Sequence, residues 1–165
     1  MDDHRDKSAR GNASQFFVAG ELCRRGYAAV ATLGNTPNTD VLCSNRAGTK
    51  FVHIQVKTFL PGTKTCSVGL KAERAFGPGF FWILAGIPAP TSSAEFEYFV
   101  VPSADMAKNI VEFHQRWLAA PGKGGRQHKD SAVRAVNVPP SSYSHLWSIE
   151  KYRNRWDYLS GALDG

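Results

Sequence analysis

The sequence is poor in cysteine and contains no long hydrophobic run. Three cysteines (Cys23, Cys43 and Cys66) are scattered along the chain, and none of them forms a CxxC pair. An odd, widely spaced set argues against a disulfide scaffold and against a structural zinc site. No stretch approaches the roughly 18 consecutive apolar residues of a membrane span, and the polar N-terminus lacks the apolar segment of a signal peptide. We therefore expect a soluble, cytoplasmic chain without a membrane partner.

Length and composition are those of one globular domain. The 165 residues are 42% hydrophobic and 21% charged, and a chain of this kind can bury a core without help from disulfides. We expect a single domain over residues 1–165, with the polar residues 1–11 forming a flexible arm.

Positive charge is concentrated in the C-terminal third of the chain. The net charge is +6, and residues 108–158 hold nine Lys and Arg against four Asp and Glu. Aromatic residues are interleaved with this charge: Trp117, Tyr143, Trp147, Tyr152, Trp156 and Tyr158. Basic groups mixed with aromatic side chains suit a nucleic acid, although a solvated basic surface has the same composition. The candidate nucleic-acid contacts are Lys123, Arg126 and Lys129 in a Gly-rich loop, and Arg153 and Arg155 near the C-terminus.

Hydrophobic periodicity predicts a helix followed by a sheet. The helix is expected to run from a cap at Ser14 to a stop at Gly26. Strands are predicted at 27–33, 40–43, 51–58, 80–87 and 97–101, with weaker candidates at 65–70 and 133–138. Two more helices are predicted, at 104–118 and around 149–159. This order predicts an α/β fold in which helices flank a central mixed sheet.

Three polar residues fall where two predicted strands would bring them together. Asp40 opens a short strand, and Gln55 and Lys57 stand two residues apart on the next strand. Side chains at i and i+2 share a face of a strand, so pairing of the two strands would place all three in one patch. Glu21 on the first helix is a fourth candidate for this patch. The ordinary alternatives are a turn residue at Asp40 and a solvated strand face at Gln55 and Lys57.

The pattern resembles the PD-(D/E)xK nuclease superfamily, in which an acidic residue precedes a strand bearing a carboxylate or amide, a hydrophobic residue and a lysine. Here it reads Asp40, then Gln55-Val56-Lys57. The first helix, with Gly20-Glu21 and the ending Arg25-Gly26-Tyr27, is similar to Holliday-junction-resolvase-like and uncharacterised endonuclease-like members. The resemblance covers residues 14–101 and implies a restriction-endonuclease-like fold with the N-terminal helix first.

The resemblance implies a metal-dependent DNA endonuclease that hydrolyses phosphodiester bonds with Mg²⁺, or with Mn²⁺ in its place. Asp40 and Gln55 would hold the metal ion, because hard cations take oxygen ligands. The backbone carbonyl of Val56 and the carboxylate of Glu21 would complete the protein ligands. Lys57 would position or deprotonate the attacking water and offset charge on the phosphate.

Two other functions are open at this point. Gln55 stands where the family usually has a carboxylate, so the metal site would carry less negative charge. This favours, as one alternative, a module of the same fold that binds nucleic acid without cutting it. The other alternative is an interaction protein whose basic third binds an acidic partner. If the chain is a nuclease, cutting both strands of DNA with one active site per chain suggests a homodimer.

Overall fold

A five-stranded mixed sheet forms the centre of the fold in this computed structural model, which describes residues 7–33, 36–141 and 147–165. Helices pack against both faces of the sheet, so the predicted α/β architecture with the helix first is confirmed. The first six residues of the expected arm and the aromatic residue Tyr143 lie outside the described residues.

Helices and strands occupy most of the positions that the sequence predicts. In chain order they are α1 (Lys7–Arg24), β1 (Ala28–Ala31), β2 (Val41–Ser44), β3 (Phe51–Phe59), β4 (Thr65–Ser67), β5 (Phe80–Gly86), β6 (Glu97–Pro102), α2 (Ser103–Ala119), β7 (Ala135–Asn137) and α3 (Asp157–Asp164). Short 3-10 turns occupy Leu70–Glu73, Lys123–Gly125 and Ile149–Tyr152. None of the helices in the described ranges combines the length and apolar character needed to cross a bilayer.

The order of strands in the main sheet is β1-β2-β3-β5-β6. Neighbouring strands are antiparallel except β3 and β5, which run parallel. Every residue of β5 is buried, as its unbroken apolar sequence predicts for a strand covered on both faces. The two weaker strand predictions are confirmed as β4 and β7, which form a separate two-stranded sheet.

The sheet has a hydrophobic core on each face, because side chains alternate along its strands. On one face, Val52, Ile54 and Val56 of β3 pack with residues of α1 and α3. On the other face, Phe59 of β3 packs with α2 and the β4–β7 sheet. We call these the α1 face and the α2 face. By the same alternation, Gln55 and Lys57 belong to the α2 face.

The N-terminal helix is longer than its sequence pattern predicts. It begins at Lys7, so residues 7–11 are helical where an arm was expected. Ser14, the predicted cap, lies inside the helix and is fully buried, with its hydroxyl 2.6 Å from that of Thr58 on β3. The early turns escape prediction because they carry few apolar side chains. The predicted stop is confirmed, since Gly26 has a φ of 93° that suits glycine.

The C-terminal segment forms two short helical pieces where one helix around 149–159 was predicted. A 3-10 turn ends at Tyr152, and α3 begins at Asp157. Between them the chain runs along β6, where Arg153 forms a β-bridge with Phe99 and the Asn154 N–H donates to the Tyr98 carbonyl at 2.9 Å. Pairing with this edge of the sheet interrupts the helix.

Candidate functional site

Asp40 lies immediately before β2, against the middle of β3. Its backbone N–H donates to the carbonyl of Ile54 at 2.9 Å, the residue that also pairs with Val41. Its carboxylate turns back onto β3, where one oxygen accepts the Val56 N–H at 2.8 Å and a hydrogen bond from the side-chain amide of Gln55. The Asp40 carboxylate therefore accepts the hydrogen bond from Val56 that a backbone carbonyl would accept if β2 were longer.

Two of the predicted polar residues share one face of β3, and Asp40 reaches one of them from the start of β2. Gln55 and Lys57 stand at i and i+2 on the α2 face. Val41 pairs with Ile54, and the Asp40 N–H also binds the Ile54 carbonyl, so two successive residues oppose one residue of β3 and alternation does not assign Asp40 to either face. Gln55 contacts Asp40 directly, and the charge of Lys57 acts on the Asp40 carboxylate. The structure thus brings these three residues together, while their chemical roles stay predictions.

The Asp40 carboxyl is partly buried, and the desolvation that results raises its pKa. Four groups oppose this rise, in decreasing order: the Val56 N–H, the charge of Lys57, the Gln55 amide and the charge of Lys71. Lys71, on the 3-10 turn that follows β4, was not predicted from the sequence. Burial thus favours the neutral form of this carboxyl, while the neighbouring donors and cations favour its charged form.

The oxygen donors at this site suit Mg²⁺, although the described residues contain no group of three or more His, Cys, Asp or Glu that could hold a metal ion. Mg²⁺ keeps several waters and is usually bound through one or two carboxylates and the phosphate oxygens of its substrate. Asp40 supplies one carboxylate. Gln55 can offer its amide oxygen when the side-chain amide rotates so that its oxygen and nitrogen exchange positions. In a strand the N–H and C=O of one residue face the same edge, so the Val56 carbonyl lies on the Asp40 side.

Glu21 does not join this cluster, contrary to the sequence-based expectation. Its carboxylate binds Arg24, the last residue of the helix, and Arg25, which follows it, at 2.8 Å each, and the hydrogen bond from Arg24 is the main cause that lowers its pKa. The helix meets β3 near Ser14, and Glu21 lies two turns further along it, about 10 Å away at the usual rise per residue. The negative charge of Glu21 is thus compensated locally, away from Asp40.

The helix residues beside Asp40 are Asn12 and Gln15. They line a cavity of about 350 Å³ together with Phe16, Ala31, Thr32, Leu33 and Asp40. The sequence analysis missed Asn12 because the predicted helix began at Ser14, and it missed Gln15 because a carboxylate was expected from this helix. Their i, i+3 spacing, which places two side chains on one side of a helix, was the signal that could have found them.

The predicted basic loop is exposed and fixed to α2. Lys123, Arg126 and Lys129 are exposed and form no ion pair with any residue in the described ranges. The ring of Trp117 on α2 stacks on His128 of the loop, with centroids 3.9 Å apart. On the neighbouring turn of α2, His114 binds Asp130 at 2.7 Å. The loop therefore presents three cations from a defined position.

Arg153 and Arg155 are paired with carboxylates. Arg153 binds Glu97 at 3.0 Å and Glu150 at 2.7 Å, and its guanidinium lies over the ring of Phe99. Arg155 binds Asp157 at 2.7 Å. Both arginines were predicted to contact DNA, and each has a carboxylate partner; the contacts of Arg153 join the C-terminal segment to β6.

The buried cysteines do not extend the site. Burial raises the pKa of Cys43 to about 11 and that of Cys66 to about 12. Both are therefore protonated thiols at neutral pH, and a thiol is a poor nucleophile and a poor metal ligand.

Comparison with known proteins shows the fold. No protein-family model and no curated protein sequence matches the chain. Among solved structures, the chain is similar to the bacterial homing endonuclease I-Ssp6803I, with a TM-score of 0.58 and 12% sequence identity over 96% of this chain and 94% of that chain. The predicted fold class is confirmed by this likeness to the fold of a nuclease, and at this identity the likeness concerns the fold alone.

Proposed function

We propose that this protein is a metal-dependent endonuclease that hydrolyses phosphodiester bonds in DNA. The observation that carries the proposal is the contact between Asp40 and Gln55 on the face of β3 that also bears Lys57. The likeness of the whole chain to the fold of a homing endonuclease supports it.

Asp40 and Gln55 would hold one Mg²⁺ or Mn²⁺ ion, together with the carbonyl of Val56. The bound ion would lower the pKa of a water ligand and neutralise charge on the scissile phosphate. On the protein side, the Val56 N–H fixes one oxygen of Asp40 at 2.8 Å, which orients the second oxygen. Gln55 would rotate its amide so that oxygen, rather than nitrogen, faces the ion.

Lys57 would act on the attacking water and on the phosphate. An ammonium group has three N–H donors and no acceptor, so it does not ligate Mg²⁺ but can orient a water and stabilise charge that develops on phosphate oxygens. Because Lys57 follows Gln55 by two residues on the same face of β3, its ammonium group would lie near the bound ion.

DNA would be held partly by the loop that bears Lys123, Arg126 and Lys129. These exposed cations can neutralise backbone phosphates, which supply most of the affinity that is independent of sequence. Cleavage of both strands by a chain with one active site suggests a homodimer, which we include in the proposal.

A module that binds DNA without cutting it is the second candidate. Asp40 contributes one carboxylate to this cluster, and the described part of the chain contains no group of three or more His, Cys, Asp or Glu that could hold a metal ion. This small number of metal ligands favours the second candidate. An amide at 55 offers the ion less electrostatic attraction than the usual carboxylate.

The test is incubation of the purified protein with duplex, branched and single-stranded DNA in Mg²⁺, Mn²⁺ or EDTA. Cleavage that requires a divalent ion and is lost in Lys57→Ala supports the endonuclease. Salt-dependent binding without cleavage in either metal supports the second candidate. Absence of both binding and cleavage overturns both.

A further inference from the structure

Two exposed apolar side chains line one cavity together with Asp40. Phe16 of α1 is 66% exposed, and Leu33, shortly after β1, is 90% exposed. Both line the cavity of about 350 Å³ that Asp40 also lines. A single exposed apolar residue is ordinary, but two of them at the rim of one polar cavity indicate a binding surface.

We propose that Phe16 and Leu33 contact the nucleobases next to the scissile phosphate, and that the preferred substrate is DNA whose base stack is open or easily opened there. This inference rests on the proposed function. Apolar side chains such as Phe and Leu enter base steps and unstack them, and an aromatic ring stacks on an exposed base of any sequence.

The cavity has the size and the polar groups for such a contact. Ligand pockets range over about 300–1,000 Å³, so a cavity of about 350 Å³ suits one nucleotide rather than several. The side-chain amides of Asn12 and Gln15 line it. Amides both donate and accept hydrogen bonds, so they can meet the edge of a displaced base.

A second copy of the chain fits this surface less well. A copy that covered Phe16 and Leu33 would also close the cavity over Asp40 and exclude the phosphodiester from it. Charge favours a nucleic acid as the occupant, because the net charge of +6 attracts a polyanion.

The test measures DNA binding by Phe16→Ala and Leu33→Ala, with Val30→Ala as the matched control. Val30 is 60% exposed on the neighbouring strand β1 but does not line the cavity. The probes are a labelled duplex in three forms: fully paired, with one mismatch, and with a short unpaired bubble that contains 2-aminopurine. Ca²⁺ replaces Mg²⁺ so that binding is measured without cleavage.

We expect the parent protein to bind the bubble more tightly than the paired duplex and to raise the 2-aminopurine fluorescence. Phe16→Ala should weaken binding to the bubble by about 5- to 150-fold, the usual effect of removing one aromatic side chain that stacks on a base, and Leu33→Ala should weaken it by less because leucine supplies apolar contact only. Their effect on the fully paired duplex should be smaller, and Val30→Ala should bind all three probes like the parent.

Two results would overturn the inference. One is unchanged bubble affinity and unchanged 2-aminopurine fluorescence in both rim variants. The other is a parent dimer in sedimentation that all three variants dissociate, because the surface would then belong to a second copy. If the parent cleaves DNA with Mg²⁺ in either case, the proposed function stands. Absence of cleavage together with the expected losses of affinity would instead overturn the nuclease and retain the base contact.

Discussion

The carboxylate of Asp40 accepts the backbone N–H of Val56 at 2.8 Å, so a side chain from the start of β2 completes the hydrogen bonding of β3. One carboxylate oxygen is fixed by this contact and by the Gln55 amide. The other oxygen accepts no hydrogen bond from the described residues. The proposed metal ligand therefore has its orientation set by strand structure, which links the stability of β3 to the geometry of the site.

Asp40→Asn should keep or raise thermal stability at neutral pH while it abolishes metal-dependent cleavage. Burial raises the pKa of Asp40, so between its unfolded and folded pKa values the native state binds more protons than the unfolded chain. Stability then falls as pH rises through that window, and the full cost of ionisation is present above it. Asn carries no charge, and its oxygen can still accept the Val56 N–H.

Thermal unfolding of Asp40→Asn and the parent protein across acidic and neutral pH checks this prediction. The difference in Tm should favour the variant at neutral pH and shrink toward zero below the ordinary pKa of an aspartic acid. A variant that is less stable by the same margin at every pH would contradict it, since that result would mean that Asn breaks the contact with β3.

Gln55→Glu should tighten binding of divalent ions by at least about tenfold, because it adds a charged oxygen beside Asp40 in a partly desolvated site. Two adjacent carboxylates repel one another until a cation binds between them. Glu21→Gln is the matched control, since Glu21 is already paired with Arg24 and Arg25. Calorimetric titration with Mn²⁺ should show tighter binding in the first variant and parent affinity in the second.

The Glu21→Gln control tests whether Glu21 binds the metal ion, as the sequence predicts, or pairs only with Arg24 and Arg25, as in the structure. Weaker ion binding in Glu21→Gln would return Glu21 to the metal site and contradict the ion pairs that the structure assigns to it. Parent affinity in both variants would remove Gln55 from the proposed ligand set.

The central strands and their polar face were predictable from the sequence because their signals are local. Alternation along β3 and the continuous apolar sequence of β5 both follow from burial. Alternation along β3 also puts Gln55 and Lys57 on one face, whereas the contact of Asp40 with Gln55 depends on how the chain enters β2.

The partners of these residues were not predictable, because they depend on tertiary structure. Lys71 reaches the site from the 3-10 turn after β4, and Gln15 reaches it from a turn of α1 whose sequence is mostly polar. The carboxylate of Glu21 carries the right chemistry but lies too far along its helix. The pairing of Arg153 with Glu97 joins residues far apart in the sequence, and no local pattern indicates it.

Charge reversal at Lys123, Arg126 and Lys129 should weaken DNA binding while the protein stays folded. The three cations are exposed and have no ion-pair partner within the described ranges, so their removal breaks no ion pair found there. Affinity should fall for all sequences alike, and the slope of log K against log salt should decrease by about one for each phosphate that the loop no longer neutralises. Fluorescence anisotropy over a series of salt concentrations measures both quantities.

Arg153→Ala is the control for that experiment, and it should behave in the opposite way. It removes ion pairs to Glu97 and Glu150 and the contact with the Phe99 ring, and we expect a decrease of about 1–2 kcal/mol in the free energy of unfolding. Its DNA affinity and salt slope should match those of the parent. Weaker DNA binding by Arg153→Ala with unchanged stability would mean that Arg153 belongs to the DNA-binding surface after all.

Lys57→Ala should remove most cleavage while metal binding and folding stay close to those of the parent, because a lysine does not ligate Mg²⁺. Positioned acid–base and electrostatic groups each contribute about 10²–10⁴-fold to rate, so a decrease of that size is expected. Lys71→Ala is the matched control, since the charges of Lys57 and Lys71 both oppose the rise in the pKa of Asp40. If Lys57 acts through its general charge alone, the two variants should lose similar activity. If Lys57 acts on the water and the phosphate, the decrease in Lys57→Ala should be far larger, and single-turnover cleavage of the same DNA distinguishes the two. Cleavage by Lys57→Ala at the parent rate would make Lys57 a surface lysine and end its catalytic assignment.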